Sequence, residues 1–341
     1  MRKIFAAAGV AATVALAAAC SSSGSSGTSA SGGDAHVTLR LGFLANITHA
    51  PALVGVNKGI FTQTLGKNVT LKVQIFSSGT EETTAILANQ LDAAYVGPNP
   101  AINAWQKSSG KAIKIISGVA TGGASVVVKK NITSPAQLKG KTMASPSLGN
   151  TQDVALRYWL KQNGLATTST GGGDAFIKPT TPNSAAVLEF KSGQIVGGSE
   201  PAPYDIEMVK DGGTVLLSES GVTTLLVVTQ SFLSAHPAIV ADLVKAQIQA
   251  NDFIKSSPAA AQADANAELG SYTGKPLKAS IVAAAFKEIT FTNDPDASSL
   301  TSDASQAQSL GLLKPVNLSG IFDLGPLNTA LAAAGESQVS S

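Results

Sequence analysis

The sequence predicts an α/β fold with a mostly parallel sheet, divided between two domains. Three observations carry this. From His36 onward, short β-rich runs alternate with helical stretches. Strand after strand ends in a polar or Gly-rich loop that immediately caps a helix. The 341 residues, 44% hydrophobic and 13% charged, are too many for one ordinary domain and too apolar for a disordered chain.

The elements follow in order. Residues 37–43 read as a first strand, after which Pro51 stands at a first helical position and Gly59 closes the helix. Residues 69–76 are strand-like again. Thr80, Glu81 and Glu82 then supply a cap and first-turn acids for a helix reaching about Asn89. A short strand at 93–96 leads to Asn99-Pro100, which cap a helix ending near Lys107, and 114–119 form a further strand. Gly122-Gly123 precede a β-branched run at 125–129, and 141–144 form the next strand. Asn150 and Thr151 cap a long helix to Asn163, stopped by Gly164. A Gly-rich loop at 171–173 leads to a strand at 175–178, a helix around 184–191 and a turn at 200–204. A strand returns at 223–229, and the remainder is largely helical and Ala-rich, most clearly over 239–255.

The first residues read as an address. Arg2 and Lys3 precede an apolar or small-residue run over 4–19, too short to span a bilayer but suited to a secretory signal. The run ends in Ala17-Ala18-Ala19-Cys20, similar to a bacterial lipobox in which the cysteine is lipid-modified after cleavage; a plain secretory signal is the alternative. The Ser/Gly tract at 21–33 is a flexible tether. The expected division is therefore a signal peptide over 1–19 and the lipidated Cys20 with its tether over 20–36.

Composition excludes several functions. Without Arg2 and Lys3 the chain carries 22 basic and 22 acidic residues, and it has only three arginines in all, so it lacks the charge of a nucleic-acid binder. Its single cysteine forms no internal disulfide, and His36, His49 and His236 make no metal-ligand pattern. Gly140-Lys141-Thr142 lacks the glycine five places earlier that a phosphate-binding loop requires, since Pro135 stands there. No G-x-S-x-G elbow occurs.

What recurs is the loop at a strand's carboxyl end: 46–51, 77–80, 97–100 and 147–151. In an open α/β sheet such loops gather where ligands bind, and each helix start offers free N–H groups to an anion. The stretches LGFLANITHAPALVGVNKGIF (41–61), SSGTEETTAILANQLDAAYVGPNPAINA (77–104), SPAQLKGKTMASPSLGNTQDVALRYWL (134–160) and EPAPYD (200–205) resemble the substrate-binding proteins of ABC importers. Within them the chain is most similar to the aliphatic sulfonate, taurine and nitrate group.

The resemblance implies a two-lobed periplasmic-binding-protein-like fold (type II) with solute held between the lobes. Lobe I would take 37–122 plus 223–334 and lobe II 123–222, with hinge crossings at 122–125 and 221–224 and a C-terminal tail at 335–341. Carried over, the family's ligand-binding positions fall on Asn46, His49, Ser78, Gly79, Thr80, Gly97, Pro98, Asn99, Ser125, Asn150, Thr151, Gln152 and Glu200. His49 could equally cap the helix at Pro51, and Glu81 and Glu82 are explained as first-turn acids. Trp105, Tyr158 and Trp159 have spacings typical of core packing. Where the family commonly shows a Trp after its acid and Pro, this chain has Ala202.

The implied function is capture of a small anionic or zwitterionic solute and its delivery to a permease and ATPase. The protein would be a monomer, lipid-anchored on the extracytoplasmic side, with no catalytic residue and no cofactor. A binding protein for a vitamin precursor (thiamine pyrimidine or riboflavin type) and an enzyme on the same fold are the alternatives.

Overall fold

A computed structural model describes residues 36–341. The expected signal peptide, Cys20 and most of the tether lie outside the described residues. The strands in chain order are β1 (Val37–Leu44), β2 (Val69–Phe76), β3 (Ala93–Val96), β4 (Ile113–Gly122), β5 (Ala124–Lys129), β6 (Thr142–Ser145), β7 (Phe176–Pro179), β8 (Gly197–Pro201), β9 (Gly213–Ser218), β10 (Val222–Thr229) and β11 (Ile289–Phe291). They form a six-stranded sheet, β11-β4-β10-β3-β1-β2, and a five-stranded sheet, β7-β6-β8-β5-β9.

The α/β class holds, but the expectation of a mostly parallel sheet does not. β2-β1-β3 and β7-β6-β8 are parallel, whereas every pairing of β5, β10 and β11 is antiparallel. The cause is the route of the chain. It leaves the larger sheet after β4, builds the smaller one, and returns as β10, so each crossing strand enters its sheet against the run of the βαβ units. β10 is buried at all eight positions, with apolar clusters on both faces of its sheet, which its near-continuous run of β-branched and leucine residues permits.

Sequence reasoning also missed β8, β9 and the helix Tyr204–Lys210. β8 reads Gly-Gly-Ser-Glu-Pro, a poor strand by propensity, yet it is central and wholly buried. A Cβ on Gly197 would lie 2.3 Å from the Val127 carbonyl oxygen, and one on Gly198 would lie 3.1 Å from Ala144. Close strand approach, not propensity, selects glycine there.

The crossings are built from backbone. Gly122 N–H donates to the Gly221 carbonyl at 2.9 Å, and the Thr223 hydroxyl donates to the Gly122 carbonyl at 2.8 Å. Gly122 and Gly123 have φ of +70° and +72°, and a Cβ on Gly123 would sit 2.3 Å from Ile289 Cγ1. Both conformation and space require the pair. At the other end of the chain, Asn328 clamps Val339 through two hydrogen bonds, of 3.0 and 2.9 Å.

One ion pair is buried beside the smaller sheet. Arg157 Nε donates to Asp153 Oδ2 at 2.8 Å, and the two side chains are 1% and 0% exposed. Asp153 also accepts from the Ser145 hydroxyl at 3.0 Å and the Gly149 N–H at 2.7 Å. Removing one partner strands the other charge, so Arg157→Ala is expected to lower the unfolding free energy by about 3–5 kcal/mol in urea denaturation. A loss under about 1 kcal/mol would mean the pair is screened by solvent.

Two acids at the crossings set a pH dependence. The Asp205 carboxylate bonds Ser125 and the Ile206 N–H, and burial, reinforced by Glu288, pushes it up to about 8. Burial pushes Glu219 up to about 7 although the Ser199 hydroxyl donates to it at 2.9 Å. The unfolded chain releases both protons near pH 4, from groups of ordinary value 3.8 and 4.5, while the folded chain keeps them to about pH 7–8. The folded state binds more protons in that window, so stability falls as pH rises from about 4 to 8 and then levels. Unfolding free energies measured from pH 5 to 8 should show the decline. Asp205→Asn should make it shallower, leaving the share of Glu219, and be more stable than wild type at pH 8 by about 1–2 kcal/mol. An identical slope in the variant would mean that Asp205 is ionised throughout.

Candidate functional site

The carboxyl ends of parallel strands from both sheets meet around one cavity of about 20 Å³, the space of a single water. Asn46, Thr48 and His49 reach it from the loop after β1, Ser77, Ser78 and Gly79 from that after β2, and Gly97 and Pro100 from that after β3. The other sheet contributes Pro146 and Asn150–Gln152 beyond β6, Asn183 beyond β7, and Pro201 at the end of β8. Thr223 of β10 completes the wall together with Leu44.

Of the positions expected from the sequence, Asn46, His49, Ser78, Gly79, Gly97, Asn150, Thr151 and Gln152 line this cavity, and Thr80, Pro98, Asn99, Ser125 and Glu200 do not. Thr80 is exposed, its hydroxyl 3.1 Å from that of Ser147 across the gap between the two sets of loops. The cap expected at Asn99-Pro100 is instead Gly97, which places Pro98 and Asn99 inside the helix Pro98–Lys107. There Asn99 turns to the helix Ala297–Ser309, donating to the Asp303 carbonyl at 3.4 Å. Ser125 is occupied with Asp205. Glu200 stands one step behind the wall, accepting from Asn183 Nδ2 at 3.1 Å. Asn183 was missed although it obeys the same rule as the others, following a strand and opening the helix Asn183–Ser192.

Four helices begin at the cavity. In the helix Gly79–Leu87 the Ser78 hydroxyl caps Glu81 N–H, and Glu81 returns its carboxylate to Ser77 N–H at 3.1 Å. In the helix Thr151–Gln162 the Asn150 side chain caps Asp153 N–H at 2.9 Å. These caps leave the N–H groups of Gly79, Thr80, Thr151 and Gln152 without an intrahelical partner. The remaining two start at Pro98 and Asn183. Each contributes about half a positive charge toward the same place.

Among the described residues no lysine or arginine lines the cavity. His49 is 2% exposed, and burial alone lowers it to about 3, so it is neutral. Its Nδ1 accepts from the Leu44 N–H at 3.3 Å, which puts the ring proton on Nε2. Asp153, which would repel an anion if it faced inward, is turned away and paired with Arg157. Burial pushes Glu200 well above the usual carboxylate range, favouring its neutral form, although the Asn183 bond opposes this.

The two sets of loops are in contact. Ile47 N–H donates to the Ala202 carbonyl at 2.9 Å and the Tyr204 hydroxyl to the Ala45 carbonyl at 3.0 Å. A Cβ on Gly97 would lie 2.4 Å from Thr151 Oγ1, so only glycine lets these two loops approach so closely. Ala202, which stands where the resembled family commonly shows a Trp, is fully buried in the core of the larger sheet and is no part of the cavity wall. The aromatic rings lie further out. Tyr204 and Tyr272 line an adjoining space of about 300 Å³ that shares Leu44, Asn46, Ser77 and Asn183 with the cavity. Trp105 is core, as its spacing suggested, donating to the Asn317 carbonyl at 2.9 Å.

No curated protein matches the chain by sequence. Among solved structures, the periplasmic nitrate-binding protein NrtA from Synechocystis PCC 6803 superposes with a TM-score of 0.73 at 14% identity, over 87% of this chain and 88% of that one. The alkanesulfonate-binding protein SsuA from Xanthomonas axonopodis pv. citri, bound to MOPS, gives 0.70 at 16% identity, over 84% and 98%. A DSZB mutant in complex with biphenyl-2-sulfinic acid gives 0.63 at 17% identity, over 87% and 99%. At such identities the likeness is one of fold, that of the periplasmic binding proteins, and similar structures include a ligand-binding component of an ABC-type import system from Staphylococcus aureus. Residues 32–269, well over half the sequence, match one family throughout, and on that match the chain belongs to the NMT1-like family.

Proposed function

We propose that this protein is an extracytoplasmic solute-binding lipoprotein of an ABC importer. It captures a small anionic or zwitterionic solute and hands it to a membrane permease driven by its ATPase. The carrying observation is that helix starts from both sheets, with the free N–H groups of Gly79, Thr151 and Gln152, surround one cavity with no cationic side chain among its described lining residues. An anion held there is bound by neutral dipoles, each charge-assisted bond contributing about 1.5–3 kcal/mol. Three or four such bonds, less the entropy of association, are consistent with micromolar affinity. The adjoining 300 Å³ space beside Tyr204 and Tyr272 favours an anion carrying an organic substituent, an aliphatic sulfonate or taurine, over bare nitrate.

The cycle is one of opening and closing. A cavity the size of one water admits a solute only when the loops part, and the paired crossings at Gly122 and Gly221 are the place for that rotation. No covalent step is assigned to any residue. The lobe boundaries follow the crossings, 37–122 plus 223–334 against 123–222. Export and anchoring rest on the first twenty residues, with Cys20 as the lipidated position.

Calorimetry with an alkyl sulfonate, taurine and nitrate tests the site. Thr151→Val should weaken sulfonate binding by about tenfold, equivalent to ~1.4 kcal/mol. Gly97→Ala should weaken it at least as much and abolish the decrease in radius of gyration that solute produces in the wild type. Unchanged affinity in both variants would move the site elsewhere, and binding of uncharged ligands alone, as a vitamin precursor or enzyme substrate would show, would overturn the anion assignment.

The anchor is tested separately. Labelled fatty acid should enter the protein in bacterial cells and be lost in Cys20→Ser. Label persisting in that variant would overturn the lipidation.

A further inference from the structure

Thr151 lines a second and larger space, of about 560 Å³, between the helices Thr151–Gln162 and Ala297–Ser309 and the segment 217–222. Its charged residues are Glu219, Asp296 and Asp303, and among the described residues no lysine, arginine or histidine lines it. On the first helix, Lys161 is already bound to the Ser309 carbonyl at 2.6 Å and Arg157 to Asp153, and neither lines the groove. Tyr158 and Trp159 line the same groove.

The acids are not equivalent. Asp296 is the N-cap of its helix, taken up by the Ser298 hydroxyl at 2.6 Å and the Ser299 N–H at 3.1 Å. Glu219 has one oxygen engaged by Ser199. Asp303 Oδ2 is buried and has no partner at all. Two further oxygens are stranded nearby. Thr151 is 5% exposed with an unpartnered hydroxyl, and Asn99, 2% exposed, has an unpartnered Oδ1 while its Nδ2 reaches the Asp303 carbonyl.

Asp303 Oδ2 and Asn99 Oδ1 accept hydrogen bonds, and the Thr151 hydroxyl both accepts and donates one, so acceptors outnumber donors at the junction. A buried water would supply two donors but no charge, whereas burial, and after it the neighbouring Glu219 and Asp296, raise the proton affinity of Asp303, so an ionised Asp303 calls for a cation. An ammonium group supplies three donors and the missing charge. Aromatic side chains beside it add cation–π attraction.

We propose that this groove binds a small organic cation, a primary amine or diamine of a few carbons, at a site separate from the cavity between the helix starts. Asp303 anchors it through its buried Oδ2, and Glu219 is its second carboxylate. Glu219 follows the last strand of the smaller sheet, whereas Asp303 stands on a helix packed against the larger one. The cation therefore ties the two halves together, and its binding favours the same closed arrangement that holds the solute.

The test is calorimetry on the purified full chain at fixed ionic strength, with 1,4-diaminobutane, n-butylamine, n-butanol and calcium as separate probes and Trp159 emission recorded in parallel. Both amines should bind and shift the emission, and n-butanol should do neither. Asp303→Asn and Glu219→Gln should each weaken the amines by about tenfold or more. Glu219 is half-buried, so its variant keeps the test decisive should Asp303→Asn fail to fold. Absence of amine binding, undiminished affinity in Glu219→Gln, or binding of calcium with neither amine would overturn the assignment. Sulfonate binding measured alone in the same variants should persist, which separates failure of this site from failure of the anion site.

Discussion

The first turn of an α-helix leaves N–H groups that the helix cannot satisfy by itself, and this protein spends much of its architecture on bringing such turns together. Parallel strands ending in short loops bring Gly79, Thr151 and Gln152 to one cavity, and both sheets contribute helix starts to it. The rest follows from keeping that neighbourhood usable. Caps by Ser78 and Asn150 satisfy one amide each and leave the earlier ones free. Gly97 keeps a side chain out of the gap, so the loops can meet around whatever the amides hold.

The surrounding charges fit a site that works with dipoles. A buried lysine or arginine facing the cavity would bind anions with less discrimination and would need a partner of its own when none was present. Among the described residues the one fully buried arginine is Arg157, already committed to Asp153 and to the Thr168 carbonyl. The carboxylates nearest the site are handled by different means: Asp153 by its ion pair, and Glu200 by burial that favours the proton. Neutrality at the cavity is thus assembled from charges placed just behind its walls.

Much of this was legible in the sequence where local chemistry decides the outcome. β1, β2, β3, β5 and β10 lie within a residue or two of where alternation and β-branching put them, and Asn150 announces its helix by the side chain that caps it. Long-range constraints were not legible. β8 has the composition of a loop and becomes a central strand because only glycines fit between Val127 and Ala144. Asn99 looks like a cap and is not one, because the proline before it already occupies the first helical position. Strand direction was hidden as well, since nothing within a β-branched run says whether it continues a βαβ unit or returns from an excursion.

That return orders events in time. β10 lies between β3 and β4, which have no other bond to each other, and it follows them only after all of β5 through β9 has been made. The larger sheet stays in two pieces, with the edge of β3 unpaired, until the chain has emerged past Thr229. The smaller sheet draws all its strands from one continuous stretch and can form at once. A chain emerging from its amino end would therefore complete its second half-structure before its first, and the slow, long-range closure of the larger sheet would be the last step before the protein could work.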